Sequence, residues 1–242
     1  MACATSVRSN GSRCAQGSRT SRTSLNSVKI TEQLLCYPLQ VPRPRVHKPD
    51  RILDAAESLA VSSGSAAVTI RAISAAVGVS NGAVYHTFGS RSGLLAQAWI
   101  RAGRRFLAAQ TALIDQAPSG AEAVLAAADT PAAFAEQYPN SCRLLLTVPR
   151  DELLDRDLPD ETAAAIRDLE ATLIGLLIRL AVSMWDRKDA AAVDTITMCI
   201  VDLPTAILLR RNRLGSKTAR DQLRAAVQAV LDVGPPPERT PT

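Results

Sequence analysis

Aromatic residues are scarce in this chain, with two tryptophans, three tyrosines and three phenylalanines making up only 3% of its 242 residues. Apolar residues nevertheless account for 47% of the sequence, with alanine and leucine the commonest. Small apolar side chains suit closely packed helices, whereas β-sandwiches draw on aromatic and β-branched residues. The composition therefore favours an all-α fold.

Long uncharged apolar runs are also lacking. The nearest candidate, residues 173–184, is interrupted by Arg179. It falls short of the roughly 18 to 20 residues that a membrane-spanning helix needs. We therefore predict no membrane association and a cytoplasmic location.

Histidine and clustered cysteine, the usual side chains of catalytic and metal sites, are nearly absent. The two histidines are His47 and His86, and none of the five cysteines has C-x-x-C spacing. No nucleophile motif or phosphate-binding loop is found. These absences argue against an enzyme, a metal site or a cofactor. Scattered cysteines suit a reducing compartment, where Cys142 and Cys199 are expected to be small apolar filler.

Acidic residues are missing from one long stretch. Between residues 58 and 114 there are five arginines and no acid, whereas residues 115–242 hold 14 basic and 19 acidic side chains. The N-terminal residues 1–50 carry eight basic and two acidic side chains. A basic block beside an acidic remainder is expected if one end of the molecule meets a polyanion.

Changes in composition and proline-rich stretches divide the chain into four parts. Residues 1–45, rich in Ser and Arg, are expected to be disordered, either as a basic arm or as sequence upstream of a start near Val41 or Val46. Residues 46–92 form a predicted helix-turn-helix domain, and residues 93–233 a helical body. The proline-rich residues 234–242 form a flexible tail.

The predicted helix-turn-helix lies between residues 69 and 88. Thr69 and Ser80 stand where each would cap a short helix, and Gly78 tolerates the left-handed turn between the two helices. This arrangement projects the second helix outward at a size that fits the DNA major groove.

The sequence ILDAAESLAVSSGSAAVTIRAISAAVGVSNGAVYHTFGSRSGLL resembles the N-terminal domain of TetR-family (tetracycline-repressor-like) regulators. The resemblance implies an N-terminal three-helix DNA-binding domain, joined by a long helix to a C-terminal ligand-binding and dimerisation bundle. By position, Thr69, Tyr85 and Arg91 match phosphate contacts, and residues 80–83 and His86 match the face near the bases. The full set of predicted DNA contacts is Thr69, Arg71, Ser80, Asn81, Gly82, Ala83, Tyr85, His86, Ser90 and Arg91. A solvated face is expected for Arg101, Arg104 and Arg105.

The body is predicted to contain helices over residues 120–128, 131–147, 160–186, 189–213 and 217–232. The 160–186 helix is apolar on two faces and is expected to be buried in the middle of the bundle. Pro204 is expected to kink the helix over residues 189–213. The last two helices form the predicted dimer pair, through Ile196, Ile200, Leu203, Ile207, Leu223, Ala226, Val227 and Val230, although an intramolecular core would explain the same residues.

A ligand pocket needs apolar and aromatic walls with a few polar anchors. The candidate residues are Trp99, Phe106, Phe134, Tyr138, Arg143, Arg179, Met184, Trp185 and Met198. Arg179 is the most suggestive, because a charge on an apolar helix needs a partner. Asp194 or Asp202 is an alternative partner that would leave nothing for a ligand.

The predicted function is that of a sequence-specific DNA-binding transcriptional regulator. It is expected to be a homodimeric repressor that a small-molecule effector releases from a pseudo-palindromic double-stranded operator. Two alternatives are a DNA-binding dimer without an effector and a helical interaction module whose helix-turn-helix merely packs.

Overall fold

The computed structural model describes residues 48–154 and 158–237, all within the compact unit Pro44–Thr242. The predictions for residues 1–45 and 238–242 lie outside this range. The described residues contain helices and no strands, in agreement with the predicted all-α class. The helices are α1 (Lys48–Ser63), α2 (Ile70–Val77), α3 (Asn81–Phe88), α4 (Arg91–Asp115), α5 (Gly120–Gln137), α6 (Pro139–Thr147), α7 (Arg150–Leu154), α8 (Asp160–Trp185), α9 (Ala190–Leu209) and α10 (Lys217–Val233).

Two hydrophobic cores hold these helices together. The first core surrounds Ile73, Val84 and Leu95 of the helix-turn-helix region, and it also contains Leu144 of α6 and Ile166 of α8. The second core joins the end of α4 with α5, α8, α9 and α10. The first core crosses residue 92. Side chains of α6 and α8 therefore hold residues 46–92, here called the head, directly against residues 93–233, the body.

The break predicted between residues 128 and 131 is wrong, because α5 continues through Pro131 to Gln137. Proline has no amide hydrogen, so the carbonyl of Ala127, four residues earlier, loses its usual partner. The side-chain amide of Gln110 on α4 supplies the missing donor, with Nε2 lying 3.1 Å from the Ala127 oxygen. The chain breaks instead at Tyr138, immediately before Pro139, which opens α6.

Pro204 is accommodated by widening of α9. The helix is α-helical over Ala190–Thr197 and then takes two π-helical turns, Met198–Asp202 and Thr205–Leu209, on either side of the proline. Hydrogen bonds five residues apart, such as that from the amide of Arg210 to the carbonyl of Thr205, remain available around a residue that lacks a donor.

In length and composition α9 is also long and apolar enough to cross a membrane, with a mean hydropathy of 1.7 over Ala190–Leu209. It is a nearer candidate than the 173–184 run chosen from sequence. Core helices of soluble proteins pass the same test, and Ile196, Ile200 and Leu208 are buried in the second core. We take α9 as a core helix.

The prediction that the helix over residues 160–186 is buried in the middle of the bundle is wrong. Ile174, Ile178 and Val182 of α8 are 48%, 37% and 41% exposed. Conversely, Ile196, Ile200, Leu223 and Val227, predicted to face a second subunit, are buried within the chain. The intramolecular alternative is therefore correct for these four residues, because α10 packs against α5 and α9. The prediction of buried Cys142 and Cys199 is confirmed, and burial raises the pKa of the Cys199 thiol to about 11.

Candidate nucleic-acid interface

Two capped helices and the turn between them form the candidate DNA-reading unit. The hydroxyl of Thr69 accepts a hydrogen bond from the amide of Ala72 at 3.1 Å, and that of Ser80 accepts one from Ala83 at 3.2 Å. Gly78 takes the left-handed conformation, with φ 73° and ψ 36°, at little cost because it has no Cβ. These three local predictions are confirmed.

Helix α3 presents nearly all of its surface to solvent. It is anchored by Val84, which is fully buried, and by the half-buried Phe88. The hydroxyl of Thr87 donates to the carbonyl of Ala83 at 2.9 Å, so it is already satisfied within the helix. The exposed residues of the helix are Asn81, Gly82, Ala83, Tyr85, His86 and Thr87.

Gly82 is not required by the fold. A Cβ atom placed there would meet nothing within 4 Å, and its φ is not in the left-handed region. Glycine inside a helix costs about 0.5–1 kcal/mol of stability relative to alanine. The local backbone and packing therefore give no reason for a glycine at this exposed position.

Arg91 and Ser90 organise the junction between α3 and α4. The Ser90 hydroxyl accepts from the amide of Gly93 at 2.9 Å and caps α4. The Arg91 guanidinium donates to the carbonyl of Val68 at 2.6 Å and to that of Ser65, which ties the α1–α2 connection to the start of α4. Arg91 is thus engaged with the protein's own backbone, whereas Arg71, on the first turn of α2, is exposed.

The family model for "Bacterial regulatory proteins, tetR family" matches residues 52–98, which span the described head from α1 to the first turns of α4. This segment is therefore similar to the regulatory proteins of the tetR family. The match covers the segment that contains α2 and α3.

Solved structures share the fold of this chain over most of its length. A tetR-family regulatory protein from Rhodococcus RHA1 is 21% identical, with a TM-score of 0.58 over 78% of this chain and 98% of that one. A TetR-family transcriptional regulator from Streptomyces coelicolor is 18% identical, with a TM-score of 0.60 over 76% and 88%. The regulator FadR from Bacillus subtilis, in complex with stearoyl-CoA, is 16% identical, with a TM-score of 0.57 over 77% and 97%. No curated protein sequence matches the chain significantly.

A buried polar network joins the head of the chain to its body, and the sequence did not reveal it. Glu57 of α1 is 3% exposed, and its carboxylate accepts from Arg101 of α4 at 2.6 Å and from the Ser141 hydroxyl of α6 at 2.7 Å. Arg101 also pairs with Asp54 at 2.7 Å. Burial lowers the pKa of Arg101, but the bonds to Glu57 and Asp54 outweigh burial and raise it above its ordinary value.

The predicted solvated face is therefore wrong for two of the three arginines on α4. Arg101 is only 13% exposed, and Arg105 lies over the ring of Tyr138 at 5.2 Å while also approaching Ser141. Arg104 alone is exposed as predicted. Arg101 pairs with Glu57, and Arg105 lies over Tyr138. Both partners are distant in sequence, so no local pattern could indicate them.

The candidate ligand residues are spread over the body. Phe134 packs edge-on against Phe106 at 5.4 Å between ring centroids and lies 5.3 Å from Tyr138, whereas the indole of Trp99 donates to the Val148 carbonyl at 3.1 Å. Elsewhere, Met184 and Trp185 are half-buried, while Arg143 and Met198 are exposed. Four cavities lie in the described part of the structure, and none of them is lined by more than one of these nine residues.

Arg179 has a different partner from those predicted. Its guanidinium pairs with Asp115, at the end of α4, at 2.9 Å, and not with Asp194 or Asp202. This exposed pair borders a cavity of about 340 Å³. A cavity of about 690 Å³ lies between α5 and α10, and its wall carries the Arg220–Asp129 and Arg224–Glu122 ion pairs.

A groove of about 500 Å³ runs between α4 and α8. Its apolar wall is formed by Leu107, Ala112 and Leu169. Arg104 lies at this groove and forms no ion pair among the described residues, and Asp115 and Asp168 line the same groove. The groove therefore combines an apolar wall with one cation and two carboxylates.

Proposed function

We propose that the chain represses transcription from the cytoplasm, binding a pseudo-palindromic operator as a homodimer through α2 and α3, and that a small molecule bound in the body releases it. The exposed α3, capped by Ser80, is the observation that carries the DNA-binding part. The absence of acids from residues 58–114 supports it, because an acid near the phosphates would repel the DNA.

The phosphate-binding assignment is tested best at Tyr85, which is 54% exposed and not needed for the core. We expect Tyr85→Phe to weaken binding to any duplex about tenfold, because one hydrogen bond to a charged phosphate contributes about 1.4 kcal/mol. The measurement is fluorescence anisotropy with a labelled duplex over a series of KCl concentrations. Affinity should fall steeply with salt, and the slope should not change in the variant, since tyrosine carries no charge.

Tyr138→Phe is the matched control, since Tyr138 lies at the junction of α5 and α6. It should leave affinity unchanged. Arg91→Ala is a less clean probe, because its loss also frees the carbonyls of Ser65 and Val68. Salt-independent binding, or full affinity in Tyr85→Phe, would contradict the docking of α3 on DNA and favour a helical interaction module.

The face of α8 and α9 supports homodimerisation. Ile174, Ile178 and Val182 recur every four residues on α8 and are exposed, as is Met198 of α9. Only 39% of the apolar helix Ala190–Leu209 is buried within the chain. A second copy of this chain would cover the stripe on α8 together with Met198, because a two-fold interface places the same patch on each subunit.

We expect Ile178→Glu to give a monomer in size-exclusion chromatography with light scattering, because a charge would be buried in the interface. Leu146→Glu is the matched control, since Leu146 of α6 is 43% exposed and lies away from this face. The control should remain a dimer. A monomeric native protein, or a dimeric Ile178→Glu variant, would contradict this interface.

The groove between α4 and α8 supports an effector with an apolar body and one acidic group. Arg104 offers a cation to such a group beside the apolar wall, and of the two acids that line the groove, Asp115 is held by Arg179. The FadR of similar fold was solved with stearoyl-CoA, an acidic ligand with an apolar chain. Long-chain acyl-CoA is therefore the first probe for thermal-shift and DNA-release measurements, with Arg104→Gln as the variant expected to lose the response.

One observation favours the alternative of a DNA-binding dimer without an effector. The predicted ligand residues are not gathered around one cavity of the described structure. Under this alternative, acyl-CoA and other amphiphiles change neither the melting temperature nor the affinity for DNA.

A further inference from the structure

The exposed surface of α3 carries neither a glutamine nor an acidic, lysine or arginine side chain that could read a base. Residues 81–88 contain no arginine, lysine, glutamine, aspartate or glutamate. Side-chain recognition of guanine in the major groove relies chiefly on the paired donors of arginine or on lysine. The helix placed to enter the groove therefore lacks the commonest reader of a G·C pair.

The side chains that α3 does present match the other base pair. The amide of Asn81 is exposed at the start of the helix, and asparagine forms two hydrogen bonds with the adenine edge. The methyl group of Ala83 is exposed two residues later, and alanine makes an apolar contact with the methyl group of thymine.

Nothing else in the first turn of α3 competes for these bases. Gly82 has no side chain and leaves open space, and the Thr87 hydroxyl is held by the Ala83 carbonyl. The imidazole of His86 lies more than one turn further along the helix. Within the first turn, Asn81 is thus the only side chain that can hydrogen-bond a base edge.

We propose that the base pairs facing the first turn of α3 are A·T, read by Asn81 at an adenine and by the Ala83 methyl group at a thymine. This specificity rests on the proposed DNA-binding function. The only arginine within residues 69–88 is Arg71, and it lies on α2. No arginine of α3 is therefore available to read a guanine.

The test uses the full-length protein and begins with selection of bound duplexes from a randomised pool. In the selected half-site each thymine is then replaced in turn by uracil, which pairs identically but lacks the methyl group. We expect one replacement to weaken binding about fourfold, the affinity equivalent of one buried methyl group. In Ala83→Gly the same thymine and uracil sites should bind equally.

The comparison within Ala83→Gly separates base reading from stability, because a folding defect would weaken both duplexes alike. Ala164→Gly, at an exposed position of α8, is a matched control that should keep the fourfold difference. Selection with Asn81→Ala should lose the adenine preference at a single position of each half-site.

Three results would overturn the proposal. The first is that selected half-sites carry G·C pairs at the positions that respond to Asn81→Ala. The second is that every thymine can be replaced by uracil without loss of affinity, and the third is salt-dependent DNA binding without enrichment of any sequence. Each of these leaves the DNA-binding function standing. Absence of salt-dependent affinity for every duplex would instead overturn the proposed function itself.

Discussion

Gly82 illustrates how a single residue on α3 separates the demands of folding from those of binding. Its backbone is ordinary helix and the space beside it is empty, so a larger residue would fit and would stabilise the helix. A surface that must approach base edges closely benefits from the missing side chain. The two demands therefore predict effects of opposite sign.

We expect Gly82→Ala to raise the free energy of unfolding by about 0.5–1 kcal/mol, because alanine restricts the unfolded chain and favours the helix. The same substitution should weaken DNA binding, because the added methyl group stands between α3 and the groove floor. Chemical denaturation and anisotropy on one preparation measure both effects. A stabilised variant with undiminished affinity would show that Gly82 does not face the DNA.

At the scale of helices, a side chain of α4 replaces the hydrogen bond that Pro131 removes from α5. The side chain of Gln110 is 1% exposed, and it donates to the carbonyl that the proline leaves unpaired, while its own Oε1 has no partner among the described residues. This hydrogen bond fixes the position of α4 relative to α5.

Replacing Gln110 by leucine should lower the free energy of unfolding by about 1–3 kcal/mol, since the Ala127 carbonyl would then be buried without a donor. In the Pro131→Ala background a backbone amide becomes available for that carbonyl, so the same Gln110→Leu change should cost much less. Urea denaturation of the four proteins in this double-mutant cycle measures the coupling. Additive losses would mean that Gln110 acts only through packing.

Considered as a whole, the molecule depends on Glu57 to join its head to its body. Three acids of α1 pair with Arg101, namely the exposed Asp50 and Asp54 and the buried Glu57. Of these, only Glu57 also contacts α6, through Ser141. A carboxylate held by helices from both parts resists any rotation of one against the other. This makes the network a structural restraint on the orientation of α3.

We expect Glu57→Gln to lower the free energy of unfolding by about 2 kcal/mol, somewhat less than the loss of a wholly buried pair because Asp54 still faces Arg101. Asp54→Asn is the matched control; Asp54 is 63% exposed in its side chain, so its loss should cost under about 1 kcal/mol. Thermal and urea denaturation provide the measurement. Equal losses in both variants would refute a special role for the buried carboxylate.

Local signals were sufficient to predict the head of this molecule, whereas long-range pairings in the body were not. Thr69, Gly78 and Ser80 act on residues within four positions of themselves, so the sequence alone predicted their roles. The partner of Arg101 lies 44 residues away, and that of Arg179 lies 64 residues away. Nothing near either arginine distinguishes a solvated side chain from a buried ion pair.

The open surface of α3 has a consequence for the evolution of this chain. Since Gly82 touches nothing and Ala83 is exposed, larger or charged side chains fit at both positions without disturbing the buried Val84. A single codon change at either position can therefore alter the exposed surface of α3 without a loss of folding stability that later mutations would have to restore.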